Sequence, residues 1–188
     1  MDYNMRARTV NTTRAYCFDF DDVLIKSDAK VKVFSGGKYV RSLSPSQYNT
    51  YKRSPEDELD FLDFEEPEHI FNAKKYKMWP VLKRIHRAIE DGRSDSEIYI
   101  LTARHLKVKP IIIEFLKKEG ININPAHVIT IGDAEGKISI ADKKKEVLRK
   151  LADMYSEIHF FDDDIKNIEL AKQIPKIKTR LIETNINN

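Results

Sequence analysis

Residues 17–24 read CFDFDDVL, and this stretch decides the fold. The apolar run RAYCFDF (14–20) predicts a buried strand, yet it closes on carboxylates at Asp19, Asp21 and Asp22. Carboxylates this close repel one another, so either a cation sits among them or at least one holds a proton.

Working outward, the same kind of strand recurs. EIYILT (97–102), HVITI (127–131), EIHFF (157–161) and KIKTRLI (176–182) are short apolar runs with helical periodicity between them. Met78, Val81, Leu82, Ile85, Ala88 and Ile89 predict a helix stopped by Gly92, with Pro80 tolerated in its first turn. Val108, Ile111, Ile112, Phe115 and Leu116 predict a second, closed by Gly120. Val147, Leu148, Leu151 and Ala152 mark a third behind Asp142 as cap, and Ile165, Ile168, Ala171 and Ile174 a fourth behind Asp164. This alternation predicts an α/β fold, a doubly wound parallel sheet with helices on both faces.

Residues 24–75 interrupt the pattern. In AKVKVFSGGKYVRSL (29–43), Gly36-Gly37 predicts a hairpin pairing Phe34 with Tyr39, Val33 with Val40 and Lys32 with Arg41. Alternation then puts Val31, Val33 and Val40 on one face and Lys32, Phe34, Tyr39 and Arg41 on the other. The next block, SPEDELDFLDFEEPEH (54–69), is acidic and irregular and reads as a solvated surface. The expected division is a sheet-bearing core of 1–23 and 76–188 with an insertion of 24–75.

The 188 residues suffice for one sizeable core, and a net charge of +3 falls well short of a dedicated nucleic-acid coat. Cys17, the only cysteine, excludes an intramolecular disulfide and sits in an apolar run, where core packing is the expected role. The histidines lack zinc-ligand spacing. No run reaches the length of a membrane span, the opening MDYNMRARTVNTTR lacks the apolar centre of a signal peptide, and the tail ends in a short polar NINN. The expectation is a soluble cytoplasmic protein with no membrane partner; its oligomeric state stays open.

Ligands of open parallel sheets bind outside the carboxyl ends of the strands. DFDD, Thr102-Ala103-Arg104 and Asp162-Asp163-Asp164 all follow predicted strands, and Lys143 to Lys145 open a helix at the same edge. Convergence of Asp19, Asp21, Asp162 and Asp163 asks for a cation, and hard oxygen donors suit Mg²⁺ better than zinc. Mg²⁺ in turn favours a phosphorylated substrate, attacked by a carboxylate to give an aspartyl-phosphate. Arg104 is expected to hold substrate phosphate through its planar fork. Lys32 and Arg41, opposed beside two aromatics, ask for an anion and resemble a platform for single-stranded nucleic acid.

The ordered set of Asp19-Phe20-Asp21, Thr102, a helix-opening lysine and Asp162-Asp163 resembles the haloacid dehalogenase-like phosphohydrolases. Within them the likeness leans to small phosphatases of bacteriophage type and, more loosely, to the phosphatase half of polynucleotide kinase-phosphatases. The resemblance implies Asp19 as nucleophile and metal ligand, and Asp21 as general acid and base within the metal set. It also implies the Phe20 carbonyl on the metal, Thr102 on a phosphoryl oxygen, Lys144 as the active-site lysine with Lys143 in reserve, and Asp163 as a ligand supported by Asp162. Val23 stands where the family often has threonine. The implied activity is Mg²⁺-dependent hydrolysis of a phosphate monoester, on a nucleotide or a 3′- or 5′-phosphate of nucleic acid. Two alternatives accompany it: a non-catalytic module that binds nucleic-acid ends, and a phosphatase or phosphomutase of small metabolites.

Overall fold

The computed structural model describes residues 14–132 and 138–184; most of the opening segment and the NINN tail lie outside them. In chain order the elements are β1 (Arg14–Phe18), β2 (Ile25–Lys26), β3 (Val31–Ser35), β4 (Lys38–Leu43), α1 (Pro45–Asn49), β5 (Asp57–Asp60), α2 (Glu68–Phe71) and β6 (Lys74–Lys75). They continue with α3 (Trp79–Glu90), β7 (Glu97–His105), α4 (Lys109–Lys118), β8 (Val128–Gly132), α5 (Ile140–Met154), β9 (Glu157–Asp162), α6 (Ile165–Ala171) and β10 (Ile177–Leu181).

Alternation along the strands explains why helices cover both faces. In β1, Ala15 and Cys17 join a core with Leu148 and Leu151 of α5 and Ile168 of α6. Phe18 turns the other way, into a second core with Leu82 of α3 and Ile112 and Phe115 of α4. Strand β7 splits likewise, Tyr99 and Leu101 against Ile98 and Ile100. A strand buried twice reads as a continuous apolar run, which is why these strands are legible in the sequence. Each fully buried Phe, Leu or Ile contributes about 1.5–3 kcal/mol. Burial pushes the Cys17 thiol up, and the residue packs as a small hydrophobe.

The five-stranded sheet has the order β10-β9-β1-β7-β8, and its pairs are all parallel. The chain runs outward from β1 through β7 to β8, then returns to place β9 on the other side of β1. The switch point therefore lies between β1 and β9, where a crevice forms at the carboxyl ends.

Several elements differ from the sequence expectation. β1 ends at Phe18, because Phe20 starts a turn whose carbonyl accepts from the Leu24 and Ile25 amides. β7 runs on to His105 with a bulge after Thr102, where Thr102 pairs with Thr130 but His105 with Gly132. Gly132 makes this possible, since a Cβ there would stand 2.2 Å from the Ala103 carbonyl oxygen. Ser139, not Asp142, caps α5: its hydroxyl accepts from the Asp142 amide at 3.1 Å. Asp164 does cap α6.

Residues 25–75 hold a β2–β6 ladder and a three-stranded sheet, β4-β3-β5, with its own small core around Val31, Val33 and Leu43. The hairpin pairs Phe34 with Tyr39 as expected, but a bulge then shifts the register so that Val33 meets Arg41 and Lys32 meets Ser42. Val40 consequently lies 46% exposed rather than on the apolar face. The acidic block lies mostly at the surface, as expected, but it is not irregular throughout. Asp57–Asp60 is a strand against β3, Asp57 accepts from the Tyr51 hydroxyl and the Ser54 amide, and Asp63 accepts from Lys32 at 2.8 Å.

Candidate functional site

Asp19 follows β1 directly, and its amide donates to the Phe161 carbonyl of β9 at 2.9 Å, which locks the ends of the two strands together. Asp162 closes β9 and Asp163 follows it. As a result one carboxylate oxygen from each of Asp19, Asp162 and Asp163 lies within 4.8 Å of the others. Lys144, buried at the start of α5, reaches Asp19 at 3.1 Å and Asp162 at 2.7 Å. Lys143 instead points toward the Ile131 carbonyl at 3.4 Å, and Lys145 donates to Gln173 at 2.6 Å. Helical rotation of about 100° per residue sends three consecutive lysines in three directions.

Three carboxylates share this one ammonium. Asp162 is the best satisfied: its second oxygen also accepts from the Asp164 amide at 2.9 Å and the Asn167 amide group at 2.8 Å. Burial lifts Asp19 well above the ordinary carboxylate range despite Lys144, with Asp162 and Asp21 adding to the rise. Asp163 is lifted by burial and then by Asp19 and Asp162. Lys144 shows the complement: burial alone would lower it, but Asp162 and Asp19 outweigh burial and hold it raised.

Asp21, two residues on, lies apart from that cluster. Arg104 Nε and Nη2 donate to its two carboxylate oxygens, both at 2.8 Å. The third arm of the guanidinium, Nη1, donates to the Phe64 carbonyl at 2.7 Å, and the guanidinium lies over the Phe20 and Phe64 rings. Bulges re-aim side chains. The one in β7 turns Arg104 inward, where it is 3% exposed. Where the sequence leads us to expect Arg104 on substrate phosphate, each of its three nitrogens already donates one hydrogen bond to Asp21 or Phe64.

The Phe20 carbonyl, expected on a metal, is likewise engaged. It closes the 20–25 turn at 3.0 and 3.1 Å to the Leu24 and Ile25 amides. Asp21 lies outside the group of acids whose carboxylate oxygens converge within 4.8 Å, and its two oxygens accept from Arg104 instead. Thr102 is buried two residues past Ile100, the partner of Phe18, and its hydroxyl oxygen accepts from the Arg104 amide at 3.2 Å. Lys32 and Arg41 do not face each other, and Lys32 is paired with Asp63, so the opposed charges that asked for an anion there are absent.

One residue of the insert enters the centre without having been expected. The Asn49 side-chain amide at the end of α1 donates to Asp163 at 3.0 Å. Asp22, buried at φ 54°, stands beside the centre, where burial and then the charge of Asp21 raise it. A signal for α1 did exist: Ser44 and Gln47 form a reciprocal capping box.

No family model and no curated protein matches this sequence. Among solved structures, the HAD domain of the effector protein Lem4 from Legionella pneumophila is similar at 13% identity, covering 94% of this chain and 89% of that chain with a TM-score of 0.46. An inactive mutant of the same domain is similar at 12% identity over 95% and 89%, with a TM-score of 0.48.

Proposed function

We propose that this protein is a Mg²⁺-dependent phosphatase of the haloacid dehalogenase type, hydrolysing a phosphate monoester of a nucleotide or nucleic-acid end through Asp19. The observation that carries the reading is the convergence of Asp19, Asp162 and Asp163 within 4.8 Å at the switch point, with a single buried lysine among them. A donor set of carboxylates alone fits a hard cation. Asp19, Asp162 and Asp163 would hold Mg²⁺, which when bound supplies charge neutralisation to carboxylates and phosphoryl oxygens alike.

In this reading a carboxylate oxygen of Asp19 attacks phosphorus, the ester P–O bond breaks, and the leaving oxygen takes a proton from Asp21. Water then attacks the phosphorus of the aspartyl-phosphate and returns a proton to Asp21, releasing inorganic phosphate and free Asp19. Lys144 orients Asp19 and offsets its charge against the incoming phosphate. Thr102 has a hydroxyl proton left to donate to a phosphoryl oxygen. Arg104 fixes Asp21 between β7 and the insert, so each proton transfer requires that fork to loosen.

The test is turnover of an aryl phosphate by the purified protein with Mg²⁺, with and without EDTA, beside Asp19→Asn. Hydrolysis that stops with EDTA and falls about 10⁴-fold or more in Asp19→Asn is expected. Near wild-type turnover in Asp19→Asn would remove the covalent route.

A further inference from the structure

The ladder that leads into and out of the insert carries an unbalanced charge. Strands β2 and β6 pair antiparallel, Ile25 opposite Lys75 and Lys26 opposite Lys74. Directly opposed residues share a face, and alternation brings Tyr76 onto the face of Lys74. The two faces differ sharply. On one, Ile25 is buried, and Lys75 pairs with Glu119 at 2.5 Å and lies over Trp79 and Phe115. On the other, Lys26 lies over the Tyr76 ring at 5.3 Å, and neither Lys26 nor Lys74 has a salt bridge among the described residues. Like charges directly opposed destabilise a ladder by themselves.

This face adjoins the acid centre. The Tyr76 amide donates to the Leu24 carbonyl at 2.8 Å and the Met78 amide to Val23 at 3.0 Å, which ties β6 to the chain just past Asp22. Asp22 feels the charge of Lys26, and the Tyr76 hydroxyl feels those of Asp22 and Asp163.

We propose that Lys26, Lys74 and Tyr76 form a second anion subsite, which takes a further phosphate carried on the leaving group of the phosphate monoester. Two ammonium groups in register match the near-double negative charge of one phosphate group at neutral pH. The substrate class is then a doubly phosphorylated nucleotide, either free or as the phosphorylated end of a strand. The subsite deepens the phosphatase reading and rests on it.

Binding is measured apart from turnover, by titrating the Asp19→Asn protein with Mg²⁺ present. Adenosine 3′,5′-bisphosphate should bind about tenfold more tightly than adenosine 5′-monophosphate, the worth of one charge-assisted contact. Adding Lys26→Gln and Lys74→Gln should bring that ratio to about one. A 5′-phosphorylated hexathymidylate identifies the source: tighter binding than the bisphosphate, with a salt slope reduced by about 1.4 in the lysine variant for two contacts at ~0.7 each, assigns a strand end. Binding no tighter than the bisphosphate assigns a free nucleotide. Equal affinity for bisphosphate and monophosphate, or a preference that survives loss of both lysines, overturns the subsite. Failure of the wild-type protein to hydrolyse any phosphate ester would remove the phosphatase reading but leave a lysine-dependent preference standing as a binding result.

Discussion

Helix α5 touches both ends of the central sheet, and its two ends meet different chemistry. Near its start Lys144 faces Asp19 and Asp162 with Asp163 beside them, so carboxylates outnumber their cation. Just past its end the Tyr155 hydroxyl lies 2.7 Å from that of Tyr99 and donates to Glu97 at 2.9 Å. Glu97 also meets His127 at 3.2 Å, and His127 stacks on Tyr99. At that amino end of β7 and β8 each polar group named has a protein partner, and packing accounts for the arrangement. At the carboxyl end, stability does not explain three converging acids. Excess charge of this kind makes the carboxyl end the candidate functional end.

The largest effect on this contrast comes from removing the shared cation. Lys144→Met leaves Asp19 and Asp162 buried without a counter-charge, and breaking a buried pair in this way costs about 3–5 kcal/mol. Urea denaturation without metal should show that loss, and Mg²⁺ should restore part of it. A loss under ~1 kcal/mol would mean that the acids hold protons in the metal-free protein and that the two ends differ less than their geometry suggests.

Metal binding sharpens the contrast next. At a Mg²⁺ concentration a hundredfold above its Kd, the wild-type protein should gain about 2.7 kcal/mol, readable as a rise in Tm that Asp163→Asn does not show. Without metal the sign reverses. Asp163 is raised by burial and by Asp19 and Asp162, with Lys144 opposing, Asp22 adding to the rise and Asn49 donating to its carboxylate. The folded state therefore keeps a proton that the unfolded chain releases above about pH 4, and stability is lost as pH rises beyond that. Asp163→Asn should flatten this decline and be the more stable protein in EDTA at neutral pH. Equal stability of the two across that range would place the charge excess elsewhere.

The carboxyl end was largely legible because its acids stand at strand ends. Apolar runs that stop on Asp19 and on Asp162-Asp163 locate both the strands and the edge, and parallel topology then brings residues far apart in sequence together. What could not be read depends on pairing that no local signal encodes. The β7 bulge, possible because Gly132 leaves room for the Ala103 carbonyl, decides that Arg104 meets Asp21. The bulge after Val33 moves Lys32 away from Arg41, and its register is shared with β5, a strand whose DELD sequence resembles a loop. Asn49 was hidden for another reason: a lone amide in a five-residue helix has no periodicity, and only docking of α1 brings it to Asp163.

The smallest expected effect belongs to the amino end. Tyr155→Phe keeps the ring in the core and deletes only the hydroxyl between Tyr99 and Glu97. Glu97 keeps His127 as a partner, so the loss is that of a satisfied hydrogen bond, about 1 kcal/mol at neutral pH. The alkaline limb gives a more specific signature. Tyr99 is pushed up to about 12, by burial first and, although the Tyr155 hydrogen bond opposes the rise, by the charge of Glu97 as well. Tyr155 is raised too, by burial and then by its bond to Tyr99. A phenol raised in the folded state contributes stability that is fully present below about pH 10 and is lost as pH rises through its native value. Denaturation measured from pH 8 to 12 should therefore fall more gently in Tyr155→Phe, which has one such group fewer, than in the wild type. Parallel alkaline limbs would show that Tyr155 does not titrate with unfolding, and the amino end would lose its description as a network held together by the Tyr155 hydroxyl.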